Sequence, residues 1–269
     1  MAQFREIEDD ISRDYMIPDG GRVIKFKSDK AQIVIADTNK FGPMLFMDGV
    51  LQLATSDEYI YHEMLVHPVM STVEAPKNIC ILGGADGCAI REVLRYSSVE
   101  HVDLVDWDTK LIEYLKVNAR MWHQGSLYDP RIHIHNLNVT DFASSLKYDV
   151  VIVDLFDPEY KDFNPNELWT SLFPKLKAFR EGGASIVING GGVLPWKFDT
   201  FEKLVTSASD ISSNILISYK VFVPSFSEEW AFVLLSDKIP NIAEDMYFRF
   251  CSNTTFRKAC SWEKPYGGI

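Results

Sequence analysis

Four residues able to do chemistry each follow an apolar run of strand length. Asp86 follows NICILGGA, Asp106 follows HVDLV, Asn138 follows IHIHNL and Asp154 follows VVIV. In a sheet built of alternating strands and helices, residues just past the carboxyl ends of the strands share one crevice. Three carboxylates and an amide gathered there suit a ligand that carries positive charge and hydroxyl groups. Asp86 narrows the choice, because it sits in the glycine turn Gly83-Gly84-Ala85-Asp86-Gly87. A dinucleotide would place its pyrophosphate at such a turn, and a carboxylate would repel it. A sulfonium nucleoside of the S-adenosylmethionine type has a positive centre and no phosphate, and so fits. The competing reading is a structural strand-to-helix turn with Asp86 as a helix cap.

The second chemical stretch is YDVVIVDLFDPEY, with Asp154 and Asp157 three residues apart. A primary amine, with a pKa of about 10, is protonated near neutral pH. It becomes a nucleophile only when a base removes that proton. One acid of this pair can take the proton while the other holds a cationic tail. Equally, Asp154 can cap a turn and Asp157-Pro158 can open a loop; the strand pattern leaves both open. Asp106 and Asp108, in VEHVDLVDWD, fall roughly 20 residues after the glycine turn, where such folds place an acid on the ribose hydroxyls. His133 and His135 alternate as HIH, but no Cys or further His accompanies them in sequence, so no metal site is expected.

The elements that must position these residues are legible from periodicity. Strands are expected at 78–82, 101–105, 132–136, 150–153 and 185–189, and helices at 89–95, 110–118, 166–178 and 198–207. ILISYKVFV and WAFVLLS read as an antiparallel pair closing the sheet. This is α/β architecture, a Rossmann-like doubly wound sheet. Before it, RVIKFKSDKAQIVIADT and FGPMLFMDGVLQLAT alternate and are β-branched, with Asp48-Gly49 as a hairpin signal. They predict a small antiparallel β domain over residues 1–72, followed by the Rossmann-like domain over residues 73–269. SDEYIYHEMLVHPVM predicts a helix leading into the glycine-turn strand, with Ser56 as its N-cap.

Composition excludes some partners. The 269 residues carry a formal net charge of −11, which argues against a nucleic-acid backbone as ligand. No apolar run approaches membrane-span length and no signal peptide is expected, so no membrane partner is either. Cys80, Cys88, Cys251 and Cys260 form no CxxC pair and read as free thiols, which points to a reducing, cytoplasmic setting. The tryptophans at 107, 122, 169, 196 and 230 read as core or crevice wall.

Taken together, MDGVLQLATSDEYIYHEML, ILGGADGCAIREVLRY, VDLVDWD, DPRI and YDVVIVDLFDP resemble the polyamine aminopropyltransferases, the spermidine synthase family, over most of the chain. The resemblance implies an N-terminal β domain and a Rossmann-like catalytic domain of the methyltransferase-like kind. It implies transfer of an aminopropyl group from decarboxylated S-adenosylmethionine, a co-substrate rather than a cofactor, to an amine. The default acceptor is putrescine, giving spermidine, and 5′-methylthioadenosine is released. By position, Asp154 would accept the proton, with Tyr61 beside it. Asp157 would bind the far amine and Asp86 the aminopropyl ammonium. Tyr61, His62 and Phe226 would line the amine channel, Gln32 would contact the nucleoside, Asp106 the ribose, and Asn138-Val139 the adenine. The family also implies a homo-oligomer, a dimer or tetramer.

Departures from the family pattern cluster on the amine side and the adenine edge. GGGDGG is GGADGC here, the ribose Glu is Asp106, and the adenine-contacting Asp is Asn138. The loop after Asp154 reads DLFDPEYKDFNP, and PTYPSG becomes PSFSEE, with Phe226 in place of a Tyr. Two other classes stay open on sequence: a methyltransferase on the same fold, and a non-catalytic nucleoside-binding homologue.

Overall fold

A computed structural model describes residues 3–8, 11–155 and 165–261. The chain opens with a hairpin, β1 (Gln3–Glu8) and β2 (Ile11–Met16), and a four-stranded antiparallel sheet, β3 (Val23–Lys27), β4 (Gln32–Thr38), β5 (Gly42–Met47) and β6 (Val50–Ala54). The β5–β6 turn is made by Asp48 and Gly49, both at positive φ (49° and 88°), as an Asp-Gly hairpin turn requires. The first hairpin was not expected from sequence. Its strands, QFREIE and ISRDYM, mix charged and apolar residues without a clean alternation.

Helix α1 (Glu58–Met70) then leads into a seven-stranded sheet. Its elements in chain order are β7 (Asn78–Gly83), α2 (Cys88–Val93), β8 (His101–Asp106), α3 (Thr109–Asn118), α4 (Arg120–His123), β9 (Ile132–Asn136), β10 (Val150–Asp154), α5 (Pro165–Glu181), β11 (Ser185–Gly192), α6 (Phe198–Ser209), β12 (Ile215–Val223), β13 (Glu228–Ser236) and α7 (Asn253–Cys260). The strand order is β12-β13-β11-β10-β7-β8-β9. Strands β7 to β11 are parallel, and β13 runs against both its neighbours. The chain leaves β7 toward β8 and β9, then returns to place β10 on the other side of β7. That reversal opens a crevice at the carboxyl ends of β7 and β10. No helix among the described residues is long and apolar enough to cross a membrane.

The parallel strands are buried on both faces, as continuous runs such as VVIV demand. One face of β10, with Val150 and Ile152, packs under α1; the other, with Val151 and Val153, packs under α5 and α6. A third apolar cluster ties Ile33, Ile35, Leu45 and Met47 of the small sheet to Leu111, Ile112 and Leu115 of α3. Two local expectations need correction. The N-cap of α1 is Asp57 rather than Ser56, and its carboxylate accepts the Ser225 N–H (2.7 Å), tying α1 to the β12–β13 connection. Trp196 is neither core nor wall; it is 57% exposed.

Candidate active site

The glycine turn is forced by close packing. Gly83, Gly84 and Gly87 all have positive φ (86°, 78° and 77°), a region costly for residues with a side chain. A Cβ on Gly83 would overlap the Asp154 carbonyl, and one on Gly84 would sit 3.2 Å from Asp154 Oδ2. The turn therefore lets β10 deliver the Asp154 carboxylate directly above it. Asp86 leaves the same turn, and its Oδ1 accepts the Cys88 N–H (2.7 Å). The N-cap of α2 is Gly87 rather than Asp86; Asp86 instead closes a local turn onto Cys88 and lines the pocket.

One pocket gathers Asp86, Asp106, Asn138, Val139 and Asp154 from the ends of the parallel strands with Tyr61, His62 and Phe226. Tyr61 donates its hydroxyl to Asp154 Oδ1 at 2.6 Å. Burial, together with the charge of Asp86, outweighs His62 and the Tyr61 hydrogen bond and raises the Asp154 pKa to about 6. Asp106 accepts the Asp108 N–H on Oδ1 (2.9 Å); burial and the nearby carboxylates raise it to about 6 as well. Asp108 is a structural acid. It caps α3 through Leu111 N–H (3.1 Å) and accepts from the Ser28 hydroxyl.

His62 is the cation at the centre. Burial opposes its charged form, but the Glu58 hydrogen bond (3.0 Å) and the charges of Asp86, Glu58 and Asp154 prevail, raising its pKa to about 9. Its Nε2 lies 3.7 Å from Asp86 Oδ1. Behind it, Arg91 clasps Glu58 with two N–H groups (3.0 and 2.9 Å) and donates to the Trp122 carbonyl (2.5 Å). Burial would lift Glu58, yet His62 and Arg91 hold it below the usual carboxylate range. The donor atoms of His62, Asp86 and Asp154 lie within 4.8 Å of one another, close enough to hold a metal ion. A protonated imidazole has no free lone pair, so at neutral pH this set suits an organic cation better than a metal.

Gln32 is not in the pocket. It begins β4 and is exposed, because the two-residue period that buries Ile33 and Ile35 turns Gln32 to the opposite face. Gln52 on β6 lines the pocket instead. Asp157 lies outside the described residues. Sequence reasoning missed Glu58, Arg91, Asn189 and Glu228 as parts of the site or its support. Only Glu58 carried a signal, its i, i+4 spacing to His62. Trp107 and Trp230 form pocket wall, while Trp122 is core.

Residues 58–246 match the family described as Spermine/spermidine synthase domain. The polyamine aminopropyltransferase of Sulfolobus acidocaldarius is 36% identical over 222 residues, which cover 80% of this chain and 71% of that protein. The one from Saccharolobus solfataricus is 33% identical over 231 residues, 81% and 73% of the two chains. Among solved structures, a spermidine synthase in complex with the transition-state analogue AdoDATO superposes with a TM-score of 0.84 at 23% identity, covering 97% of this chain and 92% of that one. Spermidine synthase from Thermotoga maritima gives a TM-score of 0.81 at 23% identity, covering 98% and 92%.

Proposed function

The chain belongs to the spermine/spermidine synthase family and is an enzyme of the polyamine aminopropyltransferase kind; from that premise we propose that it moves an aminopropyl group from decarboxylated S-adenosylmethionine to a primary amine. The observation that carries this reading is the convergence of Asp86, Asp106 and Asp154 on one pocket, with Tyr61 bonded to Asp154. Asp106 holds the ribose diol, and Asn138 and Val139 meet the adenine. Asp86 pairs with the aminopropyl ammonium. Asp154, ionised above about pH 6, takes a proton from the acceptor ammonium. The freed amine nitrogen attacks the aminopropyl carbon next to sulfur. The C–S bond breaks with its electrons going to sulfur, and neutral 5′-methylthioadenosine leaves. His62, positive below about pH 9, stands 3.7 Å from Asp86 Oδ1 and favours the ionised form of Asp154. Asp157 would hold the far end of the acceptor.

A methyltransferase must accommodate the methionine carboxylate, and Asp86 beside Asp154 would repel it. The simplest acceptor is a 1,4-diamine such as putrescine. The test is incubation with decarboxylated S-adenosylmethionine and a panel of amines, followed by mass spectrometry. We expect methylthioadenosine and an amine heavier by one aminopropyl unit. Release of S-adenosylhomocysteine from intact S-adenosylmethionine instead would replace this reading with methyl transfer. The four cysteines, all free, support a cytoplasmic setting. Ile7 and Met16, apolar, 59% and 41% exposed and on one face of the β1–β2 hairpin, support a homo-oligomer joined through that face.

A further inference from the structure

Behind His62 a buried row of charges leads away from the pocket toward the end of α2. Glu92, 3% exposed, accepts the Arg91 Nε–H on Oε1 (2.8 Å). Its Oε2 accepts from the Arg95 guanidinium (3.1 Å) and from His67 Nε2 (3.0 Å). Arg91 turns its other nitrogens to Glu58, one to each carboxylate oxygen. Glu58 in turn accepts from His62 Nδ1, and His62 Nε2 faces Asp86. Glu58, Arg91 and Glu92 lie behind the pocket, and His62 and Asp86 line it. The Arg91–Glu58 pair alone would join α1 to α2. A second carboxylate buried beside it is costly, and an apolar side chain would fill its place more cheaply.

We propose that Glu92 is a positioning residue for the reaction: through Arg91 and Glu58 it keeps the His62 imidazolium charged and aimed at Asp86, although it touches no substrate itself. This rests on the aminopropyl-transfer reading above. Orientation is the first argument. A guanidinium is a rigid plane, so holding its Nε fixes the direction of its two terminal nitrogens. Glu92 holds Nε, and the Trp122 carbonyl takes one terminal N–H (2.5 Å), which aims the fork at Glu58. Glu58, gripped on both oxygens, then presents Oε2 to His62 Nδ1 (3.0 Å).

Charge is the second argument. Arg91, Arg95 and His62 are cations in one row, and Glu58 and Glu92 are the carboxylates between them. Burial would raise Glu92, yet His67 and Arg91 hold it at about 2, so it is ionised throughout. Burial lowers His67, so that ring is neutral at pH 7, with Nδ1 accepting the Tyr96 hydroxyl (3.2 Å). Without the Glu92 charge the row would be more positive. Guanidinium groups keep their protons, so the imidazolium would be the one to yield. The groups facing the row from neighbouring elements do not replace Glu92. Cys88, Tyr96 and Cys251 are pushed up by burial and stay neutral, and the Glu63 carboxylate takes three backbone N–H groups. Asp86 and Asp154 stand on the pocket side. Phe248 closes the outer end, stacked on His67 (3.6 Å between centroids) with Arg95 over its ring (4.6 Å). In so dry a setting each charge acts strongly on the next.

The test reads the alkaline limb of the kcat/KM profile beside a direct NMR titration of His62 in histidine-labelled protein, its signal assigned by loss in His62→Gln. In wild type both should report about 9. Glu92→Gln keeps an acceptor for Arg91 and removes the charge. It should move both down by at least about 0.5 pH unit and change kcat/KM at pH 7 by less than about threefold. Arg95→Gln, at a partly exposed position, takes a cation away from the same carboxylate and should move both upward. A network that only braces the fold would lower the unfolding midpoint and leave both titrations in place; that result in folded Glu92→Gln overturns the proposal. If Glu92→Gln does not fold, Arg95→Gln decides, and a His62 titration that stays put or moves down overturns it. Wild type that releases no methylthioadenosine with any amine refutes the aminopropyl-transfer reading instead, and the NMR titration still tests the hold of Glu92 on His62.

Discussion

At the residue scale the site is a cluster of opposing charges in which carboxylates outnumber cations, and its pH behaviour follows from that. Asp154, raised to about 6 by burial, must be ionised to accept a proton. His62, held near 9 by Glu58, Asp86 and Asp154 against the cost of burial, must stay protonated to neutralise its neighbours. A plot of kcat/KM for the amine should therefore rise through about pH 6, level off, and fall above about pH 9. In Asp154→Asn the plateau should drop by about 10²–10⁴-fold and recover partly at alkaline pH, where more of the amine is already neutral. A near-wild-type rate at pH 7 would remove Asp154 from the mechanism. Asp106 makes a second case. Its folded-state pKa, about 6, lies above the ordinary value of 3.8. The stability it contributes is therefore present only at acidic pH and lost as pH rises through about 6, so at neutral pH its ionised form costs the fold. Asp106→Asn should raise stability at pH 7.5 by about 1–3 kcal/mol, with no gain at pH 4, and weaken methylthioadenosine binding. Urea unfolding at the two pH values checks it; equal gains at both would be inconsistent with a titrating carboxylate.

At the element scale, the site depends on how β7, β10 and α1 meet. α1 carries Tyr61 and His62 toward the strand ends, and its next residue, Glu63, fastens the chain before α7 by accepting the N–H groups of Arg249, Phe250 and Cys251 (2.8, 2.7 and 2.8 Å). The β7 turn is the tightest point. Gly83→Ala would strain a residue at φ 86° and push a methyl group into the Asp154 carbonyl. It should cost about 2–4 kcal/mol of stability and displace Asp154, so that kcat falls with the unfolding midpoint. Unchanged kcat in a folded Gly83→Ala protein would mean that the turn does not set the position of Asp154.

At the scale of the whole molecule, the pocket is walled by the four-stranded and the seven-stranded sheet, with Glu6 and Arg13 of the first hairpin beside them. Met47, Val50 and Gln52 come from the small antiparallel sheet, and Asp86, Asp106 and Asp154 from the large one. A ligand bound there contacts both and can bind well only when both are folded and apposed. Methylthioadenosine at a hundredfold excess over its Kd should therefore stabilise the native chain by about 2.7 kcal/mol, seen as one cooperative melt shifted upward. Two transitions, only one of them shifted, would show that the small sheet is not part of the nucleoside site.

The amino-acid sequence by itself determined the order of strands and helices, because buried parallel strands require unbroken apolar runs and the helices between them keep a 3.6-residue period. It also determined which acids reach the crevice. Asp106 and Asp154 close their strands and Asp86 lies three residues beyond the end of β7, and strand polarity sends all of them to the same edge. The tertiary structure decided what depends on register and on contacts between distant segments. The facing of β4 placed Gln32 outside and the neighbouring β6 placed Gln52 inside. The packing of α2 against α1 brought Arg91 to Glu58, 33 residues away, and so set the charge of His62. The missing side chain at Gly192 left the space that the Glu228 carboxylate fills. Local periodicity carries the first kind of information, whereas burial and proton affinity are properties of neighbours that only the folded chain supplies.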